Sequence, residues 1–107
     1  EVSLTGDIAY ASNKKDGKLT PKDFGFAPLK PAELFGGDTV KEATQIFLNV
    51  LERKATSAQG KAVLANTALG IKTVHPEKNL EESLEIAADS LKSGKALEKF
   101  QKLIALQ

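Results

Sequence analysis

The sequence predicts an α+β fold that is mainly helical, an N-terminal β-hairpin followed by about four helices. Three observations predict it. Apolar residues before residue 20 alternate with polar ones in short runs, as they do along a strand with one covered face. From residue 38 onward they recur at three- and four-residue spacing, the period of a helix with one buried stripe. Between these stretches, residues 27–37 hold two prolines and two glycines, which punctuate regular structure. The chain thus divides into a hairpin (1–20), a connector (21–37) and a helical part (38–107).

In the hairpin, Val2 and Leu4, then Ile8 and Tyr10, sit at spacing two. The segment Asn13-Lys14-Lys15-Asp16-Gly17 follows, and its Asp-Gly end is a strong turn signal before Leu19. A two-stranded hairpin is marginal alone, so this one is expected to lean on a core. Thr20-Pro21-Lys22-Asp23 has a capping hydroxyl, a proline at the first helical position and an acid in the first turn. Gly25 stops that turn, and Phe24 and Phe26 are placed to anchor it. Pro31-Ala32-Glu33-Leu34 is read as a single helical turn inside the connector.

The first long helix begins at Asp38-Thr39, with Thr39 and Glu42 spaced as a capping box. Its apolar face is Val40, Ala43, Ile46, Phe47, Val50 and Leu51, and it ends near Arg53 or Lys54, whose charge suits a C-terminus. The second runs from Ser57 to Thr73 with apolar residues on more than one face, which makes it the most buried element expected. Gly70 inside it implies close packing or a bend. Asn79 and Glu82 cap the third helix, whose stripe is Leu80, Leu84, Ala87, Ala88 and Leu91. Ser93-Gly94 ends it, and a last helix turns Leu97, Phe100, Leu103 and Ile104 inward.

At 107 residues the chain has room for one small domain. It has no cysteine, which removes disulfides, cysteine zinc sites and thiol chemistry and fits a cytoplasmic protein. The net charge of +1 and the mixed signs along each helix argue against nucleic acid as a partner and against a basic membrane-surface helix. No apolar run approaches the roughly 20 residues needed to span a bilayer, so no membrane is expected. The chain opens Glu-Val-Ser without an initiator methionine, which points to a longer protein.

The residues alone assemble no catalytic group. His75 is the only histidine and lies beside Pro76 at a helix end. Asp16 is explained by its turn and Asp23 by its cap, leaving Asp7 without a role. Tyr10 reads as a packed strand residue. Gly36-Gly37 before a helix suggests a phosphate loop, yet Asp38 would put a negative charge where the anion must sit, so a tight turn is preferred. Asn66, in an apolar helix, is expected to make a buried side-chain hydrogen bond and to be structural.

Several stretches do carry a family likeness. Glu1-Val2-Ser3-Leu4-Thr5-Gly6 resembles the end of a motif in anthranilate phosphoribosyltransferases where an Asp-Glu pair precedes a small polar strand. Thr20-Pro21-Lys22-Asp23-Phe24-Gly25 is similar to that family's TPEDFG stretch, and Leu34-Phe35-Gly36-Gly37-Asp38 to its LKGGD. Val63-Leu64-Ala65-Asn66-Thr67-Ala68 resembles its VLLNAA helix, and Leu80-Glu81-Glu82-Ser83 with Ser93-Gly94-Lys95-Ala96-Leu97 its C-terminal helices. The likeness covers the whole chain in order. Gly60-Lys61 stands where the family has Arg-Asp, and Glu42-Ala43 where it has Asn-Ala.

The resemblance implies the C-terminal part of the α/β domain of a larger phosphoribosyltransferase. Such enzymes transfer the phosphoribosyl group of phosphoribosyl diphosphate to the amino group of anthranilate, with Mg2+ assisting, in tryptophan biosynthesis. They form a homodimer largely through a helical domain. Glu1 matches the second acid of the magnesium-binding pair; no other residue is carried over as a metal ligand, and none as catalytic or substrate-binding. Since the phosphate loop and the first acid belong to earlier sequence, the segment alone is expected to be inactive and without the metal. It is also expected to expose apolar surface and to self-associate. The alternatives are a fragment of a pyrimidine nucleoside phosphorylase-like enzyme, and a non-catalytic helical interaction or nucleic-acid-binding relative.

Overall fold

A computed structural model describes all 107 residues. Strands β1 (Ile8–Ala11) and β2 (Asp16–Leu19) form an antiparallel hairpin. Two short 3-10 turns follow at Pro21–Phe24 and Pro31–Leu34. Four helices complete the chain: α1 (Val40–Leu51), α2 (Ser57–Val74), α3 (Leu80–Lys92) and α4 (Lys95–Ala105). The α+β class, the single hairpin and the four helices agree with the sequence pattern. No helix is long and apolar enough to cross a membrane.

The hairpin differs from expectation in two places, each with a local cause. Val2 and Leu4 lie outside the sheet, because Leu4 takes a left-handed backbone with φ 63 that ends any extended run. Asp16 and Gly17 are strand residues paired with Ala11 and Tyr10, and the turn sits upstream of them. Ser12 sets that turn. Its N–H donates to the Lys15 carbonyl at 3.0 Å, and its hydroxyl accepts the Lys14 and Lys15 N–H groups at 3.2 and 3.1 Å. A serine that ties down two amides defines the reversal earlier than the Asp-Gly pair would. Gly17 then lies opposite Tyr10, and a Cβ there would meet the ring at 2.7–2.8 Å. The Tyr10 ring lies over the glycine and would have to move aside for a larger residue.

Pro21–Phe24 forms where expected, but the Thr20 hydroxyl donates to Asp23 and does not cap a backbone N–H. The Asp23 carboxylate accepts the Thr20 N–H at 2.6 Å and the Thr20 hydroxyl at 3.0 Å, and Gly25 closes the turn at φ 75. Phe24 is buried and Phe26 packs against the same cluster, with the Lys61 ammonium 5.7 Å from the Phe26 ring centre. The core joins Val2, Leu4, Phe24, Leu29, Ala58 and Ala65, and Ile8 and Leu19 bring the hairpin onto it.

The helices start where the capping boxes lie. Thr39 with Glu42, Thr56 with Gln59 and Asn79 with Glu82 each exchange reciprocal side-chain-to-backbone bonds. A cap of this kind contributes about 1 kcal/mol. α1 stops at Leu51, and Arg53 reverses the chain at φ 64 while its guanidinium donates to the Lys92 carbonyl at 2.9 Å. That bond ties the α1–α2 corner to the end of α3. α2 contributes more buried residues than any other helix, Ala58, Ala65 and Ala68, and packs chiefly on α3. Its small buried side chains let the α3 backbone come close. Ser83 on α3 is also fully buried, its hydroxyl donating to the Asn79 carbonyl at 2.8 Å.

Several residues expected to face inward on the helices are exposed, Ala43 and Phe47 among them. Val40 is 85% exposed, and Leu103 and Ile104 are 56% and 52% exposed, because the core is too small to cover both ends of the helical row. Gly70 has open space around it, so neither close packing nor steric need explains it. Phe47 of α1 instead meets Phe100 of α4 edge-on, with ring centres 5.1 Å apart. The molecule measures 40 × 31 × 22 Å with a radius of gyration of 14.7 Å, against about 13 Å for a compact domain of this length. Its accessible surface is 7562 Å², where a compact monomer of 11.4 kDa has about 5,800 Å². The expected exposure of apolar surface is present.

Candidate functional site

The N-terminal segment is the best-anchored irregular stretch in the chain. Asn66, near the middle of α2, holds it with one amide group. Its Oδ1 accepts the Val2 N–H at 2.8 Å, and its Nδ2 donates to the Val2 carbonyl at 2.7 Å and to the Ala62 carbonyl at 2.9 Å. Two residues on, the Leu4 carbonyl accepts the Leu29 N–H at 2.9 Å, while its side chain is completely buried. Val2 is 3% exposed. The anchored backbone and the two apolar side chains leave Glu1 and Ser3 facing outward between them.

Beside this strap lies a cleft of about 600 Å³. Glu1 and Ser3 form one side, Phe35 and Gly36 another, and Gln59, Val63, Asn66 and Thr67 of α2 supply a wall. Seven of its thirteen lining residues are hydrophobic, and Glu1 carries the only charged side chain among them. Glu1 is exposed. Chemically the cleft therefore offers one hard anionic oxygen donor, several neutral hydrogen-bonding groups and an apolar floor. No lysine or arginine lines it to balance a bound anion.

A magnesium ion takes one or two carboxylates and fills its remaining positions with water and substrate phosphate oxygens. A single outward carboxylate with no cationic neighbour in the cleft fits one such ligand and does not make a complete cage. Nowhere in the chain do three His, Cys, Asp or Glu side chains gather in a way that could hold a metal by themselves. Asp7, Asp16 and Asp23 do not converge: Asp16 pairs within the sheet and Asp23 caps its turn. His75 is exposed at the end of α2 with Nδ1 3.3 Å from the Glu77 carboxylate.

The Gly36-Gly37 segment behaves as a turn. Gly37 has φ 90, and the Glu42 carboxylate accepts the Asp38 and Thr39 N–H groups at 2.7 and 3.2 Å. An internal carboxylate thus fills the position an anion would take at the start of α1. Glu42 stands where the resembling family has asparagine, and here it is a capping residue. Asn66 is half-buried, and its side chain bonds to the Val2 backbone beside Glu1 and to the Ala62 carbonyl of its own helix. Sequence reading missed that link; its signal was a lone amide on the alanine-lined stripe of α2.

Comparison with known proteins follows the same line. Residues 3–97 match the glycosyl transferase family, a/b domain. An anthranilate phosphoribosyltransferase of Phocaeicola vulgatus is 42% identical over 106 residues, covering 99% of this chain and 32% of that protein. One from Cytophaga hutchinsonii is 45% identical over 104 residues, covering 97% of this chain and 32% of that protein. One from Flavobacterium psychrophilum is 42% identical over 103 residues, covering 96% and 31%. The chain spans about a third of the length of the curated relatives it matches. With its hairpin, four helices and a match over residues 3–97, this chain belongs to the glycosyl transferase family through that family's a/b domain.

Proposed function

We propose that the chain is the C-terminal part of the α/β domain of an anthranilate phosphoribosyltransferase. The observation that carries this reading is 42–45% identity along nearly the whole chain to proteins of that name. The substrates are then phosphoribosyl diphosphate and anthranilate, the products phosphoribosyl anthranilate and diphosphate, and the setting cytoplasmic tryptophan biosynthesis. The full-length enzyme acts as a homodimer. The segment alone is inactive, because one carboxylate and a neutral cleft supply neither a diphosphate-binding loop nor a cationic contact.

Within that enzyme, Glu1 is a magnesium ligand on the side of the cleft. A magnesium ion held there would supply positive charge to the diphosphate oxygens. Glu1 supplies a hard oxygen donor and negative charge that favour the cation at this edge.

The test follows anthranilate fluorescence with phosphoribosyl diphosphate and magnesium, for the full-length protein and for this segment. Consumption by the full-length protein alone is the expected result. Consumption by the isolated segment overturns its inactivity, and failure of the full-length protein overturns the assignment. Thymidine phosphorolysis in its place would favour a pyrimidine nucleoside phosphorylase. In the full-length protein, Glu1→Gln is expected to raise the magnesium concentration for half-maximal rate by about tenfold or more, as loss of a charged ligand does.

A further inference from the structure

We propose that the outer face of α2, the line Val63, Thr67, Gly70 and Val74, is a docking surface for the remaining sequence of the full-length protein, which lays an uncharged layer against it. The inference rests on the reading of this chain as part of a longer protein and adds where the rest of that protein sits.

Along the 18 residues of α2, the exposed positions are Ser57, Val63, Thr67, Gly70, Thr73 and Val74, and none of them is charged. Val63, Thr67, Gly70 and Val74 follow one another at steps of four, three and four, which sets them on one line of the helix. The two charged residues of α2 avoid that line. Lys61 and Lys72 each stand two residues from a member of it, about 200° round the helix. The Lys61 ammonium lies 5.7 Å from the Phe26 ring centre, and Lys72 Nζ donates to the Lys78 carbonyl at 2.8 Å. The other helices contrast with this one. α3 exposes Glu81, Glu85 and Asp89, and α4 exposes Lys95, Glu98 and Lys99, as solvated faces do.

Ala58, Ala65 and Ala68 bury the opposite side of α2, so the helix is uncharged on two opposed faces and only one of them is covered. A helix of that kind belongs inside a larger core. Gly70 acquires a reason on this reading. Its helix propensity is poor and open space surrounds it, yet a position without a side chain lets a neighbouring layer approach the helix backbone closely. The relatives identify the occupant, because this chain spans about a third of their length. Residues 3–97 match an a/b domain, but the sheet here has two strands of four residues each. Those strands lean on the core side of α2 through Ile8 and Leu19. Sheets commonly have about four to six strands, and layered folds cover their helices with them. The outer line of α2 is the uncharged face left for strands that this chain does not hold.

The experiment places single cysteines in the full-length protein at Thr67, at Gly70 and, on α3 as a control, at Glu85. Maleimide labelling is followed by mass spectrometry of the peptides, which contain no other cysteine from this segment. Relative to its own rate in urea, each of Thr67→Cys and Gly70→Cys is expected to label about a hundredfold or more slowly in the native protein, at every protein concentration. Glu85→Cys is expected to label at a similar rate in both. Gly70→Leu is expected to lower the urea midpoint, since a larger residue has no room under a packed layer, whereas helix propensity alone would raise it. Free labelling of Thr67→Cys and Gly70→Cys in the native protein, or a raised midpoint in Gly70→Leu, overturns the proposal. Protection that fades on dilution assigns the face to a second copy of the protein and overturns it as well. A full-length protein that consumes no anthranilate yet protects both positions loses the enzyme assignment and keeps this inference.

Discussion

Leu4→Ala is expected to destabilise the chain by about 2–5 kcal/mol, the usual cost of emptying a leucine site in a packed core. Leu4 is fully buried and belongs to the one cluster that joins the N-terminal strap, the first 3-10 turn and α2. The alanine keeps a Cβ at φ 63, so none of the left-handed backbone strain is relieved and the packing loss stands uncompensated. For a domain whose total stability lies in the range of about 5–15 kcal/mol, such a loss is a large share. Urea unfolding followed by far-ultraviolet circular dichroism checks it. A midpoint within error of the wild type would show that the strap is not part of the cooperative core.

Gly37→Val is the second large effect, at roughly 3 kcal/mol, and acts through the backbone. Gly37 has φ 90, where a β-branched side chain is a steric outlier. A Cβ there would also meet Glu42 Cβ at 2.7 Å and the Ala43 nitrogen at 3.2 Å. The first is a side-chain atom close to the helix and the second is helix backbone, so relief requires shifting the start of α1. Moving it pulls Glu42 from the Asp38 and Thr39 N–H groups and undoes the cap. The measurement is the same urea midpoint, with Gly36→Val as comparison, since Gly36 has open space around it. Equal midpoints for the two variants would contradict this account.

Much of the fold was legible because its signals are local. Thr39 with Glu42, Asn79 with Glu82, and Thr20 with Pro21 and Asp23 each state a helix start within four residues. What escaped was set by distant partners or by competition between local signals. Leu4 has no residue-type preference for a left-handed backbone; Leu29 and the cluster around it impose one. The Ser12 hydroxyl competed with Asp16-Gly17 for the turn and prevailed. Periodicity marked Val40, Leu103 and Ile104 as inward, yet it reports only that a face is apolar and not whether anything covers it. At the candidate site, Glu1 was visible only through family likeness, since one carboxylate has no spacing to read. The tie of the neighbouring Val2 backbone to Asn66 joins residues 64 positions apart, a pairing no local pattern encodes.

The open shape has a consequence for the response of the chain to heat. Water already covers about 1,800 Å² more of the folded state than it does in a compact protein of this mass. Unfolding therefore wets less additional apolar surface, and the accompanying rise in heat capacity is smaller than the length alone would give. A small heat-capacity increment flattens the dependence of stability on temperature. Melting over a broad temperature range is the expected result, and a surface that covers Val40, Leu103 and Ile104 is expected to sharpen it.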